Sequence, residues 1–352
     1  MEWENVMAGV RIAVAGAGAI GQRHIEEIDA NPDATLSAIV DPFPAAAEIA
    51  AKYSVPIFQS LAEMFEKDKP DGVILATPNT MHVDGGLECV AAGVPVIVEK
   101  PLGDSVENAT RLVEAGEAAG VPVLTGHHRN YSPIMAKGRE IIQSGALGSI
   151  VAVVGTAMFY KPDDYFDVVW RREPGGGPIL INLIHEVNNL LSLVGDVVEV
   201  HAKSSNATRQ FPVEDTAAII FTFANGALGT FMLSDTAASP RSWEQTSQEN
   251  KSYDSFEDED AYHIAGTTGS LSIPTMRLKV YEGTASWWQP LTSTTERVDR
   301  SDPLAHQIEH FVDVIRGDAQ PVCSARDGLK SLKVVDAVVE SARTGHTVSI
   351  TN

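Results

Sequence analysis

The sequence predicts an α/β chain in two parts: a doubly wound parallel sheet with helices on both faces, then an α+β part built on an open, mostly antiparallel sheet. Three observations carry this reading. Short apolar runs alternate with amphipathic stretches from Val10 to about Thr125, the pattern of successive βαβ units. A G-x-G-x-x-G, Gly16-Ala17-Gly18-Ala19-Ile20-Gly21, lies where the first run gives way to the first helical pattern. Beyond Thr125 the rhythm changes to alternating β-like segments separated by turn signals. The chain has 352 residues, and single cores stop growing near roughly 250–300 residues. We therefore expect two domains, 1–127 and 128–352.

The elements follow in order. Val10–Ala15, Leu36–Val40, Gly72–Ala76, Val94–Val98 and Val121–Leu124 are near-continuous in Val, Ile, Leu and Ala, as strands buried on both faces must be. Between them Ala19–Asp29, Ala45–Lys52, Leu61–Phe65, His82–Ala92 and Val106–Ala119 carry apolar residues at helical spacing, and Gly93 and Gly120 mark two helix ends. The second part begins with a helix over about Pro133–Ser144 and a strand around Ile150–Phe159. A long loop holding Pro162, Pro174 and three successive glycines comes next. Strands are expected at Val197–Ser204, Thr216–Phe223, Ala227–Leu233, Ala261–Gly266, Ser270–Ile273 and Arg277–Tyr281, with Asn225-Gly226 as a hairpin turn. Helical patterns at Pro303–Arg316 and Arg326–Thr344 close the chain.

Composition narrows the function. The formal net charge of -21 repels phosphate backbones and anionic lipid, so nucleic acid is not an expected partner. No apolar stretch approaches the roughly 20 residues that a membrane span needs. The two cysteines, Cys89 and Cys323, lie in no Cys/His cluster, which argues against a disulfide scaffold or zinc site. No histidine spacing suggests a metal, and none is expected. The acidic opening Met1-Glu2-Trp3-Glu4-Asn5 does not resemble a secretory signal, so the expected compartment is the cytoplasm. The acidic run Asp254, Glu257, Asp258, Glu259, Asp260 reads as a solvated loop, because no EF-hand spacing organises it.

The strongest local signal is the glycine motif. Glycines at a strand-to-helix turn let the backbone approach a pyrophosphate, whose charge sits against the free N–H groups of Ala19, Ile20 and the helix start. Asp41 ends the second strand 20 residues after Gly21, where a carboxylate accepts hydrogen bonds from the adenosine ribose. That carboxylate repels a 2′-phosphate, and Pro42-Phe43-Pro44 supplies no arginine to receive one; NAD is favoured over NADP. Two further turns follow parallel strands on the side where open α/β sheets bind ligands. Thr77, Pro78, Asn79 and His82 suit ribose or phosphate, although turn chemistry alone explains them almost as well. Glu99-Lys100-Pro101 places a lysine beside the nicotinamide, where it is the best catalytic candidate.

These residues resemble the glucose-fructose oxidoreductase / inositol dehydrogenase / rhizopine catabolism (Gfo/Idh/MocA) family. The resemblance rests on GAGAIGQRH at 16–24, ATPNTMH at 76–82, VEKPL at 98–102, GHHRNYSP at 126–133, GGGPILINLIH at 175–185, HIAGTTGSL at 263–271 and EHFVDVIRG at 309–317. It implies a Rossmann domain joined to an α/β domain whose open sheet forms a substrate wall and often an oligomer interface. It also implies NAD(P)-dependent oxidation or reduction of sugars, polyols and related cyclic alcohols. Lys100 matches the family's catalytic lysine and His185 its helix histidine; His128 and Arg129 fit the stretch beside the cofactor. Hydride loss from a carbinol carbon requires the hydroxyl proton to leave too, so a polar group of tuned pKa must reach that oxygen. The family's usual aspartate four residues before the histidine is Ile181 here, and the acidic position three residues after it is Asn188. Asn182, His185 and Asn189 fall at i, i+3 and i+7, on one helix face where neutral hydrogen bonding replaces charge around a polyhydroxy substrate.

Tyr160, Trp170 and Arg171 precede the glycine triplet and make a plausible set for sugar or carboxylate recognition. Equally, Arg171 and Arg172 serve only to pair with Asp163, Asp164 or Asp167 and order the loop. The main expectation is an NAD-dependent dehydrogenase or reductase of a secondary alcohol on a sugar, cyclitol or sugar acid. Transient-redox elimination or epimerisation, and a non-catalytic sugar- or nucleotide-sensing regulator, are the alternatives. A homodimer or homotetramer is expected from the open sheet.

Overall fold

The computed structural model describes residues 9–351; Met1–Asn5, which bore on the expected compartment, lie outside them. The chain divides into two compact units, 1–131 with 303–329, and 132–302 with 330–352. The first differs from the expected 1–127 by its late segment, and the reason is apolar packing. A helix over Pro303–Arg316 buries Ile308, Phe311, Val312 and Val314 in the same core as Val10, Ile12, Val14, Ile25 and Ile28. Sequence distance hid this, because an amphipathic helix does not reveal which core it covers.

In the first unit β1 (Val10–Ala15), β2 (Ala34–Val40), β3 (Ile57–Phe58), β4 (Gly72–Leu75), β5 (Val96–Val98) and β6 (Val123–Thr125) form a parallel sheet ordered β3-β2-β1-β4-β5-β6. Connecting them are α1 (Ala19–Ala30), α2 (Ala46–Tyr53), α3 (Leu61–Lys67), α4 (His82–Ala91) and α5 (Val106–Ala119). The two-residue β3 escaped the sequence reading because Ile57-Phe58 is too short to show a period. β4 and β5 are buried along their whole length, and β1 and β2 are buried at most positions, which is why the sheet tolerates helices on both faces. The order reverses between β1 and β4, the switch point at which such sheets bind ligands.

The second unit opens with α6 (Pro133–Gln143) and β7 (Ile150–Met158), followed by α7 (Pro178–Ile181) and α8 (Leu183–Val194). Next come β8 (Val197–Ser205), β9 (Thr216–Phe223), β10 (Leu228–Ser234), α9 (Trp243–Thr246), β11 (Tyr262–Gly266), β12 (Gly269–Ile273), β13 (Arg277–Val280) and β14 (Thr292–Thr295). After α10 (Pro303–Arg316), already placed in the first unit, α11 (Ala325–Thr344) and β15 (Val348–Ser349) finish the chain. Nine strands make one sheet in the order β14-β13-β12-β11-β7-β10-β9-β8-β15, antiparallel throughout except where β7 meets β10. β14 and β15 were not anticipated: the first is polar and exposed along its length, the second only two residues long. Asn225-Gly226 does turn β9 into β10, with Gly226 at φ 87° and Asn225 Oδ1 accepting from the Ala227 amide. One sheet face packs on α6, α8 and α11 through Phe221, Phe223, Phe231, Leu183 and Val335. The other carries the exposed row His263, Val154, Thr230, Ile220 and His201, aligned across five strands by their register.

Candidate active site

In the first unit four turns stand side by side at the strand C-termini. Their backbones are stitched by Gly16 N–H to Val40 O, Ala76 N–H to Ala15 O, Glu99 N–H to Leu75 O and Gly126 N–H to Val98 O. The three glycines of the motif have separate reasons. Gly16 sits at φ 91°, and a Cβ there would lie 2.5 Å from the Ala76 carbonyl oxygen; a Cβ on Gly21 would lie 1.9 Å from the Gly16 carbonyl oxygen. Both are demanded by the fold. Around Gly18 a Cβ would meet nothing within 4 Å, so the chain itself does not require glycine there. Gly18, Ala19 and Ile20 are exposed, and α1 begins without a side-chain cap, whereas α3, α5 and α6 are capped by Ser60, Ser105 and Ser132. The first amides of α1 therefore face outward as donors. Asp41 closes the loop from behind: Oδ2 accepts from the Ala17 amide and Oδ1 from the Phe43 amide, each at 2.8 Å.

The next two turns are braced rather than open. His82, expected to bond ribose or phosphate, is buried with Nδ1 2.7 Å from Pro101 O and Nε2 2.8 Å from Thr77 O. Both ring nitrogens are taken, so His82 ties the Thr77 turn to the Lys100 turn. Pro78 and Asn79 are exposed at the turn's tip, and the buried Thr77 Oγ1 has no protein partner. Glu99, expected against the cofactor, is also buried: Oε1 lies 2.8 Å from His24 Nε2, and Oε2 accepts the Lys100 amide at 3.1 Å. Burial alone would raise its carboxyl, but the bond and charge of His24, with the charges of Lys100 and His128, together hold it down at about 2. Glu99 and His24 thus anchor the backbone of Lys100, which precedes a cis Pro101. His24 was missed as a site residue. Its signal was helical spacing, since Gly21, His24, Ile25 and Ile28 form the buried stripe of α1. Beyond β6, His127 is buried and its imidazole is pushed down to about 3, first by burial and then by the charge of Lys100. His128 is half-buried and Arg129 buried in the turn that follows.

In the second unit both outer members of the set Asn182, His185 and Asn189 bond to protein groups. Asn182 lies at the break between α7 and α8, and its Oδ1 accepts from Lys161 Nζ at 2.9 Å. Asn189 Nδ2 donates to the Tyr262 hydroxyl at 3.0 Å, and that hydroxyl donates to Glu186. Asn188 Nδ2 donates to Ser331 Oγ at 2.9 Å. The two downstream asparagines therefore satisfy core polar groups; His185 is buried between them and Asn182 in the chain. Lys161 was read only as part of a loop. It is buried, 3.4 Å from Asp235 and 4.7 Å from the centre of the Tyr165 ring, and burial pushes its ammonium below the ordinary value. Asp235, raised by burial, is shared with Arg209. No sequence spacing could join Lys161, Asn182, Arg209 and Asp235, which meet only through the sheet.

Arg171 Nη1 donates to the Tyr165 carbonyl at 2.8 Å, and its guanidinium lies 4.0 Å from the Tyr165 ring centre. Asp163 is met by Arg209 rather than by Arg171. Tyr160 and Trp170 remain exposed. Among the described residues no His/Cys/Asp/Glu group is arranged to hold a metal, and no helix is long and apolar enough to cross a membrane.

Comparison with known proteins places this geometry. Residues 10–127 match the Gfo/Idh/MocA family model described as "Oxidoreductase family, NAD-binding Rossmann fold", and 139–350 match its C-terminal alpha/beta domain. The rhizopine catabolism protein MocA of Rhizobium meliloti is 24% identical over 95% of each chain. Inositol 2-dehydrogenase of the same species is 25% identical over 97% of this chain and 99% of that one. The fold is shared with the WlbA dehydrogenase of Bordetella pertussis, solved in complex with NADH and UDP-GlcNAcA, at a TM-score of 0.77, 23% identity and coverage of 98% and 100%. The chain thus belongs to the Gfo/Idh/MocA oxidoreductase family, with that family's NAD-binding Rossmann fold in its first part and its C-terminal α/β domain in the rest.

Proposed function

We propose that this protein is an NAD-dependent dehydrogenase of a secondary alcohol on a sugar, cyclitol or sugar acid, with Lys100 as the acid/base and His185 as its partner. The observation that carries the reading is the set of four turns in the first unit: outward amides at Gly18–Ile20, the Asp41 carboxylate behind them, an unpartnered Thr77 Oγ1, and Lys100 anchored through Glu99. These residues fit a dinucleotide. The amides would hold its pyrophosphate and Asp41 its adenosine ribose, while Thr77, Pro78, Asn79, Pro101 and Arg129 line the remainder. When bound, NAD supplies the hydride acceptor. The buried negative charge of Asp41 disfavours a 2′-phosphate, which supports NAD over NADP.

Lys100 Nζ takes the hydroxyl proton as the carbinol carbon is oxidised, with its main chain held by Glu99. Buried His185 shares that proton, and Tyr160, Trp170 and His128 contact the polyol. The names of the two curated relatives, an inositol dehydrogenase and a rhizopine catabolism protein, support a polyol or cyclitol substrate. The buried Cys89 and Cys323, neither in a disulfide, suit a reducing cytoplasm, and the exposed sheet face joins copies into a dimer or tetramer.

The test is NADH formation by the purified protein over a panel of inositols, aldoses and sugar acids, beside Lys100→Ala. A panel member should turn over, and the variant should lose about 10²–10⁴-fold in kcat while still binding NAD. NAD bound with no NADH formed on any member would overturn the dehydrogenase reading.

A further inference from the structure

Lys161 leaves β7 in a tightly held backbone. Its amide donates to Asp235 O at 2.9 Å, and Arg209 Nη2 donates to both Lys161 O and Asp235 O, at 2.6 and 2.9 Å. Arg209 is itself placed by Asp215, whose Oδ2 accepts the Thr208 and Arg209 amides at 3.0 Å. The main chain is pinned at both carbonyls, so the buried ammonium is delivered to one spot, between Asp235 and Asn182.

Asn182 is where that matters. Asparagine at a helix start ordinarily turns its side chain onto the first amides of its own helix. Here it makes no such cap and accepts from Lys161 instead. Its carbonyl oxygen accepts the His185 amide at 3.1 Å, and its amide donates to Pro178 O at 2.9 Å. The residue that breaks α7 from α8 is thus held by its side chain from the sheet and holds His185 by its main chain.

We infer that Lys161 is a positioning residue for His185, acting through Asn182: the Lys161–Asn182 bond sets the α7–α8 junction and with it the direction from which the imidazole meets substrate. This rests on the proposed part of His185 in the reaction. A purely structural ammonium would need only a counter-ion, which Asp235 already provides; the further bond to Asn182 is what couples the pair to the histidine. Asp235, for its part, keeps Arg209 when Lys161 is removed, so the buried carboxylate is not stranded in a Lys161 variant.

The experiment uses the full chain as wild type, Lys161→Met, Asn182→Ala, the double variant and Lys161→Arg. One readout is the His185 ring signal in NMR of histidine-labelled protein, identified by its loss in His185→Gln. The other is kcat and KM for NAD with whichever panel member the wild type oxidises. Both single variants should displace the His185 signal alike, and the double variant no further. Turnover should fall about tenfold to a hundredfold by misplacement of a reacting group, with KM for NAD within about twofold, and Lys161→Arg should restore most of it. An unmoved His185 signal in Lys161→Met, or effects of the two single variants that add, would overturn the inference. If the wild type oxidises nothing, the NMR signal decides alone, and the failure then belongs to the dehydrogenase reading. Should Lys161→Met not fold, Lys161→Gln with Asn182→Ala decides by the same criteria.

Discussion

Gly18 and Gly21 stand three residues apart at the start of α1, yet they answer to different masters. An alanine at 18 finds open space, and stability should stay within about 1 kcal/mol of wild type. Its methyl group would stand where the pyrophosphate belongs, so NAD affinity should drop about tenfold to a hundredfold, the worth of one or two charge-assisted hydrogen bonds. At 21 the methyl group runs into the Gly16 carbonyl, and about 1–3 kcal/mol or more of stability should go. Calorimetric NAD titration beside thermal melts separates the two. His127 bears on pH. Its folded value near 3 lies below its ordinary 6.5, so below 6.5 the unfolded chain binds the proton and the folded one does not. Stability is complete above about 6.5 and falls toward pH 3, by up to about 1.4 kcal/mol per unit. Glu99, held near 2 from an ordinary 4.5, adds a loss of the same sign below 4.5. Melts from pH 7.5 to 4 should show the slope in wild type and a flatter one in His127→Leu; equal slopes would refute the assignment.

At the level of elements, α10 is the clearest case for measurement. Phe311 is fully buried against the first unit's strands, in contact range of a Cβ on Gly72. Phe311→Ala should cost about 3–5 kcal/mol and weaken NAD binding with it; a melt unchanged by the substitution would contradict α10's place in that core. The sequence made most strands and helices visible because continuous Val/Ile/Leu runs and 3.6-residue stripes are local properties. It made Gly16, Gly21, Asp41 and Lys100 visible for the same reason: each is defined by its distance from a strand end. What stayed hidden is long-range. His82 and Glu99 looked like ligand contacts until His24, Thr77 and Pro101 were seen to occupy them. Asn182 and Asn189 looked open to a ligand, but Lys161 and Tyr262 bond to them. Lys161 stood out only as one residue of a long loop, because burial of a lysine needs Asn182, Arg209 and Asp235, none of them its neighbour in sequence.

For the molecule as a whole, the exposed row Val154, Thr230, Ile220 between His263 and His201 is the face on which copies should meet. Ile220→Lys, which keeps every strand hydrogen bond, should reduce the mass in light scattering to that of one chain; a wild type already of that mass would dismiss the assembly. The route of the chain has another consequence. It leaves the first unit after Tyr131 and returns to it only for 303–329, where Phe311 and Ile308 seal the core and Thr125 N–H reaches the Cys323 carbonyl. A ribosome making this protein from its N-terminus therefore delivers the nucleotide-binding sheet first and its last covering helix almost last. Throughout that interval the nascent sheet carries an uncovered apolar face, and a transcript broken before codon 303 yields a chain that cannot finish its first unit.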